Sequence, residues 1–481
     1  MRAASSGGSS NELLSEVRWL SWEFGEDDPP LPTTGLHLPN LSVLELSGSK
    51  ITEDWEGWRS TFMTAKRLLV LDLIECKGLR CNPDLSAFTQ LKVLSLHSCE
   101  GLEHLHPSIG KLKSLVSLEL IACLSLKELP EEVGELKDLE VLVLGVSGFT
   151  EIPMFIGSLR KLKKLSAYFS DYCKSLRKIP RSIGDLQNLQ HLDLSYCESL
   201  REIPSSIGDL QNLQHLKLSG SEIERLPSAI GDLSSLQGLY LYGCDKLRSL
   251  PQLSSLIHIK EFHLRKCHLL EDVPELPSRL LKLCIEECGK LILLKLDGLK
   301  NLQEFSIKKC SSIKRLDLSQ LSGLKQLCAA NCNKLVEIQG LDSAKFLEKL
   351  DFRGCKSMEM LPNLTGCEKL RSLNVRHCKK LTQLRGLEKL DLIDLDISSC
   401  DSLEPIPKLF GKHVFTKFQE QAMRANSETT HVFLTESCLM WLHSNDITPE
   451  LDEALQREIQ AAFHGTRRKS PNTTGWRYGQ E

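Results

Sequence analysis

The spacing Leu-x-x-Leu-x-Leu-x-x-Cys-x-x-Leu, met at Leu189, Leu192, Leu194, Cys197 and Leu200, constrains this 481-residue chain more than any other feature. The frame also opens at Leu41, Leu68, Leu91, Leu115, Leu139, Leu162, Leu213, Leu236, Ile259, Leu280, Leu302, Leu324, Leu347, Leu370 and Leu392. A degenerate copy opens at Val17, with Leu20 and Trp22. Successive copies lie 21 to 27 residues apart. Two leucines two positions apart point to one face of an extended strand, and the residues between them point to the other. One copy cannot bury its own leucines, whereas neighbours stacked as parallel strands bury them jointly. The chain is therefore expected to extend one core along an axis. It should not divide into the roughly two to four globular domains its length would ordinarily suggest.

The unit resembles the leucine-rich repeat, whose period is about 20–29 residues. The expected fold is an α/β leucine-rich-repeat solenoid, a horseshoe with a parallel sheet on its concave side and about 17 repeats. In the middle copies the return segment reads Pro-x-x-Ile-Gly-x-Leu, as at Pro204, Ile207, Gly208 and Leu210. There the proline would start the segment and the glycine would permit a bend. Residues 1–12 read as a disordered segment rich in Ser and Gly. Residues 13–60 read as an atypical capping region with four tryptophans, and 61–252 as long repeats. Residues 253–408 read as shorter repeats without the Ile-Gly segment, with a bend expected near 255. Residues 409–481 form a tail in which Leu451, Leu455, Ile459 and Phe463 place an amphipathic helix near 449–464. The Leu162 copy carries extra residues, Tyr168 to Tyr172, and should bulge.

Chemistry is sparse. No phosphate loop, His-Glu-x-x-His, nucleophile elbow or zinc-finger spacing occurs. The expectation is no enzyme, no cofactor and no metal. Twelve cysteines, from Cys76 to Cys400, share one position just after the strand. Aligned ligands at a strand spacing of ~4.8 Å do not converge as zinc requires, so the column reads as structural, serving the turning backbone. Cys284 with Cys288 and Cys328 with Cys332 have a ligand-like spacing, but their side chains should face opposite ways. The N-terminal stretch lacks the apolar run of a secretory signal, and no run is long enough to span a bilayer. With a formal net charge of −3, neither nucleic acid nor membrane is an expected partner, and the reading is cytoplasmic. Three matches to the glycosylation sequon then read as chance.

The outward strand positions are not uniform. Tyr168, Phe169, Tyr196, Tyr240 and Tyr242, with His191 and His215, form an expected aromatic patch. Next come His263, Arg265, Lys266, Lys308, Lys309, Arg353, Arg376 and His377, interrupted by Glu286, Glu287 and Asp351. Such a patch beside a basic stripe has the composition of a protein-binding hot spot facing an acidic partner region. The same residues also read as ordinary surface-strand tyrosines and solubilising cations.

The run Glu16-Val-Arg-Trp-Leu-Ser-Trp22, then the stretch from Asn40 to Trp58, then repeats ending in Leu-Pro, is similar to one receptor class. It resembles the leucine-rich-repeat region of plant TIR–nucleotide-binding–LRR intracellular immune receptors, the disease resistance proteins, over roughly residues 13–408. The resemblance implies recognition of a pathogen effector or of a guarded host protein. It also implies restraint of a nucleotide-binding switch domain, in cis or in trans. A non-immune signalling scaffold with a small-GTPase partner shares the Pro-x-x-Ile-Gly pattern and is the alternative. A bacterial-type repeat ubiquitin ligase, suggested by Val273–Leu280 and Cys438, would need more than the about 70 residues that follow the repeats.

Overall fold

The computed structural model describes residues 16–23, 37–48, 51–60, 62–145, 148–167, 175–387, 390, 392, 394–397 and 399–403. The N-terminal segment 1–12, the extra residues Tyr168–Tyr172 and the tail 409–481 with its expected helix lie outside these.

Seventeen strands join into one sheet, and every pairing in it is parallel. They run in chain order from Trp19–Glu23 through Val43–Ser47, Val70–Ile74 and onward to Asp394–Asp396. Register repeats without slip: Leu44 lies beside Leu71, Leu71 beside Leu94, and Leu94 beside Leu118. Alternation along each strand is the cause. In Glu261–Arg265, Phe262 and Leu264 are buried while Glu261, His263 and Arg265 look out. A one-residue slip would put every leucine in water, so burial fixes the pairing.

Behind the sheet, the repeats between 107 and 232 return through six short 3-10 helices among the described residues, from Pro107–Lys111 to Ser228–Asp232. Proline occupies the cap position of five of them, Pro204 among them, holding the extended conformation from which the turn starts. In these repeats the helical half of the α/β layering is thus 3-10 turn, with a short α-helix at Gly57–Ser60 nearer the start of the chain. The glycine serves a different purpose from the expected bend. Gly208 has no left-handed φ; a Cβ there would sit 2.7 Å from the Ala229 carbonyl oxygen in the next copy. Glycine at this position lets neighbouring turns approach. Carbonyls of neighbouring turns are stapled across repeats in several copies: Gln211 Nε2 donates to Gly208 O at 2.7 Å and to Asp232 O at 3.1 Å. Beyond residue 253 the return side instead carries two small parallel sheets, pairing Asp272–Val273 with Leu293–Leu294 and Arg315–Asp317 with Glu337–Gln339.

Many of the strands are followed by the same device. Ten non-glycine residues have positive φ between 52° and 62°, and each immediately precedes a cysteine of the column. The left-handed residue aims its amide at the next strand, as Lys266 N does at Glu286 O, 2.8 Å away. The cysteine behind it is buried and donates to a carbonyl of the preceding repeat: Cys267 Sγ to Leu241 O at 3.3 Å, Cys378 Sγ to Phe352 O at 3.1 Å. The sixteen described cysteines form no disulfide with one another. Among the described residues no helix is long and apolar enough to cross a membrane.

Candidate functional site

The open face of the sheet, opposite the 3-10 turns, brings four rings into one file. His191 and His215, in register on adjacent strands, stack with centroids 5.1 Å apart and planes 5° apart. His215 then meets Tyr240 at 6.2 Å, and Tyr240 stacks on His263 at 5.0 Å. Tyr240 lies two residues beyond Gly238, the residue in register with His215. It reaches the imidazole by leaning over that glycine. A Cβ on Gly238 would sit 2.7 Å from the Tyr240 hydroxyl and 2.8 Å from His215 Nδ1. The hydroxyl passes over and donates to Glu261 Oε2 at 3.0 Å, while His263 Nε2 lies 3.4 Å from the same oxygen.

Packing sets the protonation of this file. Burial, reinforced by His191 and Lys217, holds His215 down at about 4. The neighbouring His263 imidazole, helped by the hydrogen bond from Tyr240, outweighs burial and holds Glu261 at about 2. Burial pushes the Tyr240 phenol up. At neutral pH the file is therefore a tyrosine and an uncharged His215, with a carboxylate anchoring one end.

A second row runs along the strand ends. Tyr196 and Tyr242 meet edge to face at 6.4 Å. The Arg265 guanidinium lies 5.0 Å from the Tyr242 ring centre, and the Lys266 ammonium 5.4 Å from it, both within cation–π range. The spacing placed Tyr196, Lys266, Lys309, Arg353, Arg376 and His377 on strands, but all six lie just beyond the strand ends. Of these, Tyr196, Lys266, Lys309 and His377 occupy the left-handed position that follows the strand, which tips them onto the rim.

The basic stripe is largely neutralised from within. Glu286 lies 2.9 Å from Lys308 Nζ and 3.5 Å from Arg265 Nε, and accepts from Ser306 Oγ at 3.2 Å. Glu287 lies 3.3 Å from Lys309 Nζ and 3.5 Å from Arg265. Burial pushes both carboxyls up, yet both stay below the usual range because these cations outweigh it. The surface is a lattice of alternating charges, not a plain cationic strip. Arg353 pairs with Asp351 at 3.4 Å, and Arg376 Nε donates to His377 Nε2 at 3.1 Å.

The structure thus brings together His191, Tyr196, His215, Tyr240, Tyr242, His263, Arg265, Lys266, Lys308 and Lys309, on consecutive strands or just after them. Arg353, Arg376 and His377 stand farther along, beyond the strand Gln326–Cys328. Tyr168 and Phe169 lie outside the described residues. Gly238 and Glu261 were not singled out in the sequence, although they supply the space and the acceptor that order the rings. A glycine within a run of β-formers was the available signal.

Burial pushes the outward thiol Cys284 up to about 12 and Cys328 up to about 11, away from thiolate chemistry. Among the described residues no three His, Cys, Asp or Glu side chains gather as a metal site.

Comparison with known proteins agrees with this architecture. A solved leucine-rich-repeat protein of Leptospira interrogans is 23% identical, with a TM-score of 0.53 over 76% of this chain and 91% of that one. The functional domain of InlJ from Listeria monocytogenes, which includes a cysteine ladder, is 18% identical over 74% of this chain and 70% of that one, with a TM-score of 0.43. Phosphoenolpyruvate carboxylase 2 of Sorghum bicolor and that of Zea mays are each 40% identical over 76 residues, 15% of this chain and 8% of the enzyme. The chain spans under a tenth of the length of these curated relatives, and their activity does not come with the match. The family model described as a leucine-rich repeat region matches residues 67–199 and 168–340. Those matches cover more than half of the chain, and the protein belongs to the leucine-rich-repeat family.

Proposed function

We propose that this protein is the recognition module of a plant innate immune receptor, binding a pathogen effector or a guarded host protein on the sheet face between His191 and Lys309. One observation carries the binding site: half-buried rings and charged groups there are pre-ordered by their own contacts, with their outer edges left open. Ordering side chains on association costs roughly 0.5–1.5 kcal/mol each, and a stacked, anchored platform has already met that cost. Tyrosine and arginine held in this way are the residues that dominate protein interfaces. The immune assignment is supported by the resemblance in residues 16–58, and a nucleotide-binding switch domain is the expected second partner.

The charge lattice revises the expected ligand. A uniformly acidic partner would meet Glu286 and Glu287, so the favoured partner carries both signs around an apolar centre.

The test uses affinity purification from plant tissue, with and without pathogen challenge, followed by titration of the recovered partner. The double variant Tyr196→Ala with Tyr242→Ala should weaken binding at least tenfold, about 1.4 kcal/mol. Unchanged affinity in a folded double variant would move the site off this face. Recovery of a GTP-loaded small GTPase as the specific partner would favour the scaffold alternative.

A further inference from the structure

The first part of the same face has a different chemistry. The strands Val43–Ser47, Val70–Ile74, Val93–His97, Ser117–Ile121 and Val141–Val143 carry no Lys or Arg. Their middle outward positions, in register, are Glu45, Asp72, Ser95, Glu119 and Val143. Half-buried Val70, Val93 and Val141 border this file on one side and half-buried Ile74 on the other.

The carboxylates here lack the cations that the middle of the sheet supplies. Farther along, Asp193 has Lys217 at 3.5 Å, Glu304 has Lys282 at 3.3 Å, and Glu286 has Lys308 and Arg265. No cation of the described residues lies within ion-pair distance of Glu45, Asp72 or Glu119; Ser117 Oγ donates to Glu119 at 3.2 Å. Asp72 Oδ1 is buried without a hydrogen-bond partner. Burial pushes the Asp72 carboxyl up, Glu45 and Glu119 add repulsion, and only a hydrogen bond with Ser95 and the charge of His97 oppose them. Like charges in adjacent strands destabilise a sheet. A surface that keeps this arrangement between aliphatic borders is suited to an incoming cation.

We infer that these five strands form a second docking surface, separate from the ring platform, whose occupant is a basic helix with aliphatic flanks. Charge complementarity selects the cations and the valines select the flanks. The spacing selects the helix. At ~4.8 Å per strand, Glu45 and Asp72 lie one step apart and Asp72 and Glu119 two steps, about 5 and 10 Å. Helix residues three and seven apart are displaced along the axis by about 4.5 and 10.5 Å. A helix lying across the strands therefore presents cations at i, i+3 and i+10 to the three carboxylates. The strand Lys164–Ser166 stands between this surface and the ring file.

The experiment titrates the full chain with a labelled, alanine-based helical peptide carrying Arg at i, i+3 and i+10 and Leu on the flanks, followed by fluorescence anisotropy. Its counterpart has Glu in place of Arg. The Arg peptide should bind at least tenfold more tightly, and raised salt should weaken it. Asp72→Asn with Glu119→Gln should reduce its affinity at least tenfold, while Tyr196→Ala with Tyr242→Ala should leave it unchanged. Equal binding of the two peptides, or an undiminished affinity in the carboxamide variant, overturns the inference. Loss in the tyrosine variant alone also overturns it, by placing the peptide on the ring platform. The melting temperature supplies an independent check: the carboxamide variant should melt at or above the wild type because repulsion is relieved. A fall of several degrees would assign the carboxylates to the fold instead.

Discussion

At the residue scale, the strand end joins a left-handed backbone to a buried thiol. The cysteine column was legible because its spacing repeats. The left-handed position before it was not, since Glu75, Ala122, Tyr196, Lys266 and His377 share no side-chain property that announces positive φ. Their backbone is imposed by the next strand and the thiol behind. If the Cys267 thiol satisfies the Leu241 carbonyl, Cys267→Ala should destabilise by about 1–3 kcal/mol. Cys267→Ser should cost less, because Ser221 occupies the equivalent position and donates to Leu218 O at 2.8 Å. Urea unfolding of both variants checks this, and equal losses would contradict it.

Protonation gives a second test at this scale. His215 sits at about 4 in the folded chain, below an unperturbed value of ~6.5. The unfolded chain takes up this proton first, so the His215 contribution is intact above about pH 6.5 and is lost progressively as pH falls toward 4. Glu261, held at about 2, contributes stability above its ordinary range that is lost only as pH falls from about 4.5 toward 2. His215→Gln should therefore flatten the decline in melting temperature between pH 6.5 and 4.5. An unchanged slope would show that His215 is not held neutral by its surroundings.

At the element scale, alternation in the repeat made the strands readable and placed their inner and outer residues. The Pro-x-x-Ile-Gly segments were readable as return elements, but the purpose of their glycine was not, because the crowding atom belongs to the next copy. Gly208→Ala should destabilise by about 1–3 kcal/mol, through overpacking against Ala229. An unstrained glycine-to-alanine change would instead stabilise by about 0.4–1 kcal/mol. Thermal unfolding distinguishes the two by sign. The same limit governed the site. Outward Tyr and His residues were visible one copy at a time, but Tyr240 reaching His215 over Gly238 depends on two strands at once. The neutralisation of Arg265 by carboxylates on the neighbouring strand was hidden for the same reason.

At the scale of the whole molecule, the parallel sheet has no central core; each repeat is buried by the two beside it. Stability is then a sum over neighbouring pairs, and a surface can change character along the axis while the fold stays the same. The sheet uses that freedom: an acidic, aliphatic stretch precedes the rings, and a charge lattice follows them. Hydroxyl-radical footprinting of the protein, alone and with its recovered partner, tests the central claim most directly. The account predicts protection at Tyr196, Tyr242, His191 and His263, with Met154 and Ile257, exposed away from the sheet face, still reacting as in the free protein. Protection of Met154 and Ile257 with the four ring residues unchanged would contradict it.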